Sequence, residues 1–191
     1  MELRPITRQD AKPWFAVRAR NASWLRPWEA TAPEQALETR TFAAMVRDLR
    51  RQGRDGRGFP WVLTYDGRLV GQVTVSGITW GSARWAQIGY WVDRDVAGRG
   101  IVPTAVALAV DHCFVVAGLH RVEVNIRPEN AASLRVVAKL GFREEGLRVG
   151  FLHIDGAWRD HLGFSLCAED VPGGMVARWH AQRTGPVSGS R

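Results

Sequence analysis

Apolar positions along this chain follow two periods. Alternation of period two, or short unbroken apolar runs, predicts strands at residues 3–6, 59–65, 68–78, 84–93, 121–126, 142–153 and 157–166. The clearest case is Arg121 to Ile126, where Val122, Val124 and Ile126 alternate with Arg121, Glu123 and Asn125, so one face is apolar and the other polar. Recurrence at three and four residues predicts helices at about 11–20, 32–53, 101–117 and 131–140. Local punctuation agrees with these limits. Asp10 stands where it can cap the first helix, with Pro13 near its start, and Thr31-Ala32-Pro33-Glu34 has capping-box spacing ahead of Leu37, Phe42, Met45, Val46 and Leu49. Asn130 can cap the last of these helices, and Gly118 and Gly141 stand where helices end. Asp66-Gly67 and Asp155-Gly156 are two-residue hairpin signals. The order is strand, two helices, three antiparallel strands, helix, strand, helix, two strands, which predicts one mixed α/β domain over residues 1–168 with about seven strands and about four helices. Residues 169–191 become rich in Gly, Pro and Ser without periodicity after Trp179, and the last ten or so are expected to form a disordered tail.

Composition narrows the classes. With 46% hydrophobic and 24% charged residues over 191 positions, the chain has the make-up of one ordinary globular domain. Its 26 basic and 19 acidic residues leave a net charge of +7, which favours phosphorylated or polyanionic partners. The arginines are scattered, and this disfavours direct nucleic-acid binding. Cys113 and Cys167 lie in apolar runs without metal-ligand spacing and are expected to be buried reduced thiols, with no metal site. The N-terminus has no apolar core of a signal segment, and no window is apolar enough to span a bilayer, so no membrane partner and a cytoplasmic protein are expected. Nine tryptophans are more than a core of this size needs, and Trp24 and Trp28 in the stiff loop Asn21 to Glu29 can either plug the core or wall a pocket.

The chemistry concentrates between Ile88 and Val116. An apolar strand runs into Gly98-Arg99-Gly100, and a helix opens at once on Ile101-Val102-Pro103-Thr104. Free N–H groups and the helix dipole make such a turn an anion site, to which Arg99 adds charge. The turn lacks both the Lys-Ser/Thr of a P-loop and the third glycine of a dinucleotide fingerprint. It also follows an antiparallel strand, where a dinucleotide fold would need parallel βαβ order.

Gln87-Ile88-Gly89-Tyr90-Trp91-Val92, Ala97-Gly98-Arg99-Gly100-Ile101, Arg127-Pro128-Glu129-Asn130-Ala131-Ala132-Ser133 and Lys139-Leu140-Gly141-Phe142 together resemble a GCN5-related N-acetyltransferase. The Asn-x-x-Ser of the second helix cap, Trp24-Leu25-Arg26-Pro27-Trp28 and Gly156-Ala157-Trp158-Arg159-Asp160 are similar to the RimJ/RimL-type ribosomal-protein acetyltransferases. The resemblance covers about residues 1–168. It implies a mixed, mostly antiparallel sheet that splays between its fourth and fifth strands, with acetyl-CoA in the gap and no metal. The pyrophosphate would lie on Ala97, Gly98, Arg99, Gly100, Ile101, Val102 and Thr104. Its pantetheine arm would pair with the backbone of Trp91 and Val92 and with Asn130.

Acyl transfer to an ammonium also needs a base and a proton source for the leaving thiolate. Glu123, on the polar face of the fifth strand, is the first candidate base and Asp160 the second; each could equally be a surface residue in an ion pair. Ser133 resembles the serine that hydrogen-bonds the sulfur in this subgroup. His120, His153 and His161 are possible proton relays. Trp24, Trp28, Tyr90 and Trp158 are the expected walls of the acceptor site. Four positions depart from the family: Ala97 where Gln or Arg is common, Val102 for a small residue, Val137 for a tyrosine acid, and Gln87 where the subgroup often has Glu. The resemblance implies direct transfer to the α-amine of a protein or peptide N-terminus, of ribosomal type. A small-amine or antibiotic acetyltransferase, a non-catalytic CoA- or ribosome-binding module, and the choice between monomer and homodimer stay open.

Overall fold

Seven strands form a single sheet in the computed structural model, which describes residues 1–33 and 41–184. The strands are β1 (Glu2–Pro5), β2 (Phe59–Tyr65), β3 (Arg68–Thr79), β4 (Trp85–Val92), β5 (Arg121–Ile126), β6 (Arg143–Ile154) and β7 (Ala157–Cys167), in the order β1-β2-β3-β4-β5-β7-β6. Every neighbouring pair is antiparallel except β4 and β5. Those two run parallel and pair only at Trp85–Arg121, Ala86–Val122 and Gln87–Glu123 before they diverge. The mixed sheet splayed between its fourth and fifth strands is therefore present. Asp66-Gly67 and Asp155-Gly156 make the two expected hairpin turns, all four residues having positive φ as a type I′ turn requires.

Six helices occur among the described residues: α1 (Ala11–Arg20), α2 (Ala22–Leu25), α3 (Phe42–Arg54), α4 (Ile101–Asp111), α5 (Ala131–Leu140) and α6 (Met175–Thr184). A π turn over His112–Val116 extends α4 before Gly118 ends it at φ 67°. One core lies between the sheet and α4, α5 and α6, gathering Val73, Ile88, Val106, Val122, Val137 and Trp179. A smaller one between the sheet and α1 and α3 contains Ile6, Val17, Val46 and Val62. The apolar face of β5 thus meets α4 and α5, and the Arg121, Glu123 and Asn125 face points the other way.

Asp10 does not cap α1, because its carboxylate is taken by the Arg4 guanidinium (2.6 and 2.9 Å) and the Thr7 amide (2.7 Å). Thr31 is tied to the β6–β7 hairpin. Its amide donates to the His153 carbonyl at 2.8 Å, and α3 is capped by Thr41, which accepts from the Ala44 amide at 3.2 Å. Residues 34–40 of the expected helix lie outside the described residues. The Asn21 to Glu29 loop is coiled into α2 and a 3-10 turn over Arg26–Trp28. Helix α6, where no periodicity was visible, is held by tertiary contacts: the Asp111 carboxylate accepts from the Met175 and Val176 amides at 2.5 and 3.0 Å. Residues 185–191 of the expected tail are outside the described residues. Cys113 is buried as expected, and burial pushes its thiol up to about 12, whereas Cys167 is only half-buried.

Asp93, just past β4, joins these layers. It is buried, takes the Arg20 guanidinium, accepts from Asn21 Nδ2 at 2.8 Å and accepts from the Asp95 amide at 3.3 Å. Burial pushes its carboxyl up, but Arg20, Asn21 and the Asp95 amide together hold it below the ordinary range. The Arg4 hydrogen bond does the same for Asp10. Because both titrate lower folded than unfolded, their stabilisation is complete above an unfolded pKa of about 4 and is lost as pH falls through the folded values. Urea midpoints should accordingly stay flat near neutrality and fall below about pH 4. Asp93→Asn should cost about 1–3 kcal/mol at pH 7 and weaken that acid dependence.

Candidate active site

Where β4 and β5 separate, the backbone on the open side of each strand loses its ladder partner. The Asp93 amide donates to the Val70 carbonyl at 2.7 Å, toward β3. Strand alternation then turns the amides of Val92 and Tyr90 into the splay, and that of Trp91 toward β3. Trp91 therefore offers the cleft its position, with its ring 5.5 Å from the Arg18 guanidinium, while the free backbone belongs to its neighbours. Trp24 fixes this edge, because its indole Nε1 donates to the Val92 carbonyl at 3.2 Å.

The glycine turn continues the open backbone. Gly98 and Gly100 have φ of 80° and 79°, a region that other residues enter with strain, and Gly100 is the N-cap of α4. The amides of Gly98, Arg99, Gly100, Ile101 and Val102 find no acceptor among the described residues, Pro103 has no N–H, and the Thr104 amide already donates to the Gly100 carbonyl at 3.2 Å. The donor run is thus one residue shorter at its C-terminal end than the sequence suggested. Thr104 is structural: its hydroxyl donates to the Gly100 carbonyl (2.8 Å) and accepts from Trp179 Nε1 (2.9 Å). The Arg99 guanidinium is turned back to the Asp95 carbonyl at 3.0 Å.

A cleft of about 420 Å³ follows from this opening, between the end of β4, the first turn of α4 and the first turn of α5. Ala97, Gly98, Gly100, Ile101 and Val102 line one side and Asn130, Ala131 and Ser133 the other, with Trp24, Trp28, Tyr90, Trp91 and Val92 between them. Asn130 Oδ1 accepts from the Ser133 amide at 3.1 Å, which caps α5 and leaves Asn130 Nδ2 free to donate. Arg135 and Lys139 also line the cleft, one and two turns into α5, and supply positive charge that reading by motif overlooked; their i, i+4 spacing was the available signal. The Tyr90 hydroxyl is buried beside Ser133 without a well-formed hydrogen bond. Burial pushes its phenol well above the usual range, and Ser133 offsets part of this.

The structure does not gather the other predicted residues here. Glu123 is buried on the opposite face of β5, with Oε1 held by Arg121 at 2.8 Å and Oε2 by Arg148 at 2.7 Å. Accepting a proton would break both pairs. Asp160 is exposed and accepts from the Gly150 amide at 2.7 Å, which staples a bulge in β6. Trp158 is exposed on the β6–β7 hairpin against His153. That hairpin still meets the tryptophan segment: Ala30 bridges to Ile154, the Arg127 guanidinium donates to the Pro27 carbonyl at 2.7 Å, and it lies 5.5 Å from the Trp28 ring. Sequence reasoning missed Asn125, whose side-chain nitrogen and oxygen are both buried without a partner among the described residues.

Residues 1–143 match the family described as Acetyltransferase (GNAT) domain. The chain belongs to this family. The fold agrees with that of Mycobacterium smegmatis RimJ, solved in complex with CoA-disulfide, with a TM-score of 0.88 and 40% identity over 95% of this chain and 88% of that one. The Escherichia coli protein named [Ribosomal protein uS5]-alanine N-acetyltransferase is 28% identical over 158 residues, covering 81% of each chain. The Bacillus subtilis protein named Probable N-acetyltransferase YjcK is 42% identical over 105 residues, 55% of this chain and 58% of YjcK. This GNAT chain is an acyltransferase, and its cleft lies where the family's defining splay opens.

Since the Tyr90 hydroxyl has no hydrogen bond to lose, Tyr90→Phe should leave the protein as stable or up to about 1 kcal/mol more so. Trp24→Phe removes a real bond to β4 and should cost about 1 kcal/mol or more. Thermal unfolding of the two variants side by side checks the contrast.

Proposed function

We propose that this chain transfers the acetyl group of acetyl-CoA to the α-amine of a ribosomal protein N-terminus. The observation that carries the proposal is a pair of unpartnered donor sets on one wall of the cleft: the open edge of β4, and the amides of Gly98 to Val102. The amides of residues 93–97 between them are bonded within the protein. A linear anionic ligand with a peptide-like arm satisfies such a wall, and Arg135 and Lys139 extend its charge to further phosphate. The neighbour named RimJ, with its CoA-disulfide, and the relative named for uS5-alanine acetylation support the ligand and the acceptor class. A cytoplasmic setting fits this role, and no described helix is long and apolar enough to cross a membrane.

Acetyl-CoA supplies the activated acyl group. The chain supplies position and proton traffic. The Gly98 to Val102 amides and the α4 dipole hold the pyrophosphate, and Asn130 Nδ2 with the free β4 amides align the arm. The Val92 or Tyr90 amide polarises the thioester carbonyl. Ser133 Oγ, one turn from Asn130 and beside Tyr90, passes a proton toward the departing sulfur. Trp24 and Trp28 line the mouth, and Tyr90 lines the floor. Among the described residues Glu129 is the sole carboxylate on the cleft wall, which suits a singly charged N-terminus better than a polycation.

Free thiol released from acetyl-CoA, measured across peptides beginning with Ala, Ser or Thr and against polyamines and aminoglycosides, tests this reading. Peptides should turn over with the acetyl group on the α-nitrogen by mass spectrometry. Turnover confined to polyamines or antibiotics would sink the acceptor assignment, and binding without any turnover would sink the enzyme. Gly100→Ala, strained at φ 79°, should weaken acetyl-CoA binding by about tenfold in calorimetry, the equivalent of about 1–2 kcal/mol of left-handed strain. Ser133→Ala should lower kcat with little change in that affinity.

A further inference from the structure

Both carboxylates singled out as bases are engaged elsewhere, yet an ammonium must lose a proton before it can attack. We infer that His161 Nε2 takes that proton, directly or through one water; this rests on the acyl-transfer reading above. His161 is 3% exposed, and its Nδ1 lies 3.0 Å from the carbonyl of Arg159. A carbonyl only accepts, so Nδ1 carries the hydrogen and Nε2 the lone pair. Nε2 has no hydrogen-bond partner among the described residues. An oriented imidazole with a free basic nitrogen is the arrangement that base catalysis needs.

Its position follows from strand register. Glu123 pairs with Ser165, Asn125 with Gly163 and Ile126 with Leu162, which places His161 level with Arg127 at the open end of β5. It shares the sheet face of Asn125 and Glu123, opposite α4 and α5. Arg127 reaches from this point to Pro27 and Trp28, and Trp28 and Glu129 line the cleft. His161 does not itself line the cleft; it stands beside Arg127, whose contacts with Pro27 and Trp28 lead to the cleft rim. The unpartnered amide of Asn125 is on the same face, with one donor and one acceptor suited to the first peptide unit of an acceptor chain. The Arg148 side chain lies across Gly163 between the two strands, 3.1 Å from where a Cβ there would stand, and ties back to Glu123.

The charged groups facing the ring are Arg127 and Glu129 from the segment after β5, Asp160 on β7, and Arg148, its cross-strand partner on β6; Phe151 meets it edge-on at 5.7 Å. Burial pushes the imidazole below its ordinary pKa and Arg127 adds to this, against the Arg159 carbonyl, Glu129 and Asp160. The ring is thus neutral at pH 7 and able to accept. One proton of the ammonium goes to Nε2 and on to solvent, and the neutral amine forms the C–N bond at the thioester carbon. The C–S bond then breaks, and the second proton on nitrogen reaches the thiolate by way of Ser133. The products are the amide, free CoA thiol and one proton.

The experiment is the pH dependence of kcat/KM for wild type, His161→Asn and His161→Gln, from about pH 5.5 to about 9, with the best peptide acceptor. Wild type should be level around pH 7 and fall on the acid side. The variants should lose about a hundredfold or more at pH 7 and recover roughly tenfold per pH unit, up to the α-amine pKa of about 8. Acetyl-CoA affinity and thermal midpoint should stay close to wild type, and added imidazole should restore part of the activity of His161→Ala. A uniform loss with an unchanged pH profile overturns the inference, as does a nitrogen NMR spectrum showing the hydrogen on Nε2. Should the wild type prefer a small amine, the acceptor assignment fails alone, and the same profiles with that amine still decide His161. A protein that acetylates no amine overturns both.

Discussion

Two parallel strands that part after three paired positions are the constraint from which the rest of this molecule follows. A β-ladder satisfies its own amides and carbonyls, and an interrupted one in the middle of a domain does not. The open edge of β4 is partly closed by Trp24 and otherwise faces the cleft, and the glycine turn and first turn of α4 prolong it with more unsatisfied donors. Such a seam stays open only if each side is held independently. Asp93 secures the β4 side through Arg20 and Asn21, and β7 secures the β5 side through six consecutive register pairs.

The two faces of the sheet then take different work. On the α4 and α5 face are the anion turn, Asn130, Ser133 and Tyr90, arranged for a long phosphorylated ligand. On the opposite face of β5 and β7 are ion pairs, an unpartnered amide and an oriented imidazole. The splay joins the two, so groups on opposite faces can address the same bond. The proposed roles of Ser133 and His161 therefore need no contact between the two.

Much of this was legible in the residues. Strand alternation, paired Asp-Gly turns and the capping Asn130 are local signals, and the sheet, the hairpins and α5 stand where those signals place them. The turn of free amides ahead of α4 was legible because glycine spacing and a helix start are also local. The failures share a cause. Asp10 looks like the cap of α1, but the turn after β1 brings Arg4 to its carboxylate. Helix α6 buries only Met175 and Trp179, too few positions to show a period, and Asp111 and Thr104 anchor it further. Glu123 reads as a free carboxylate on a polar face until β6 brings Arg148 across to it. The worth of His161 depends on a carbonyl two residues away in its own strand, a contact that no residue pattern encodes.

The Trp179 indole, the Thr104 hydroxyl and the Gly100 carbonyl form a short relay from α6 into the anion turn. Among the described residues helix α6 adds nothing to the cleft lining, yet Trp179 bonds to the turn that does line it and lies with Arg183 close to Gly100. Under the proposed function, hold on the nucleotide end of the cosubstrate would depend on the C-terminal helix as well as on the glycines. A partner protein, fusion or modification acting near residue 179 could tune cosubstrate affinity from outside the cleft.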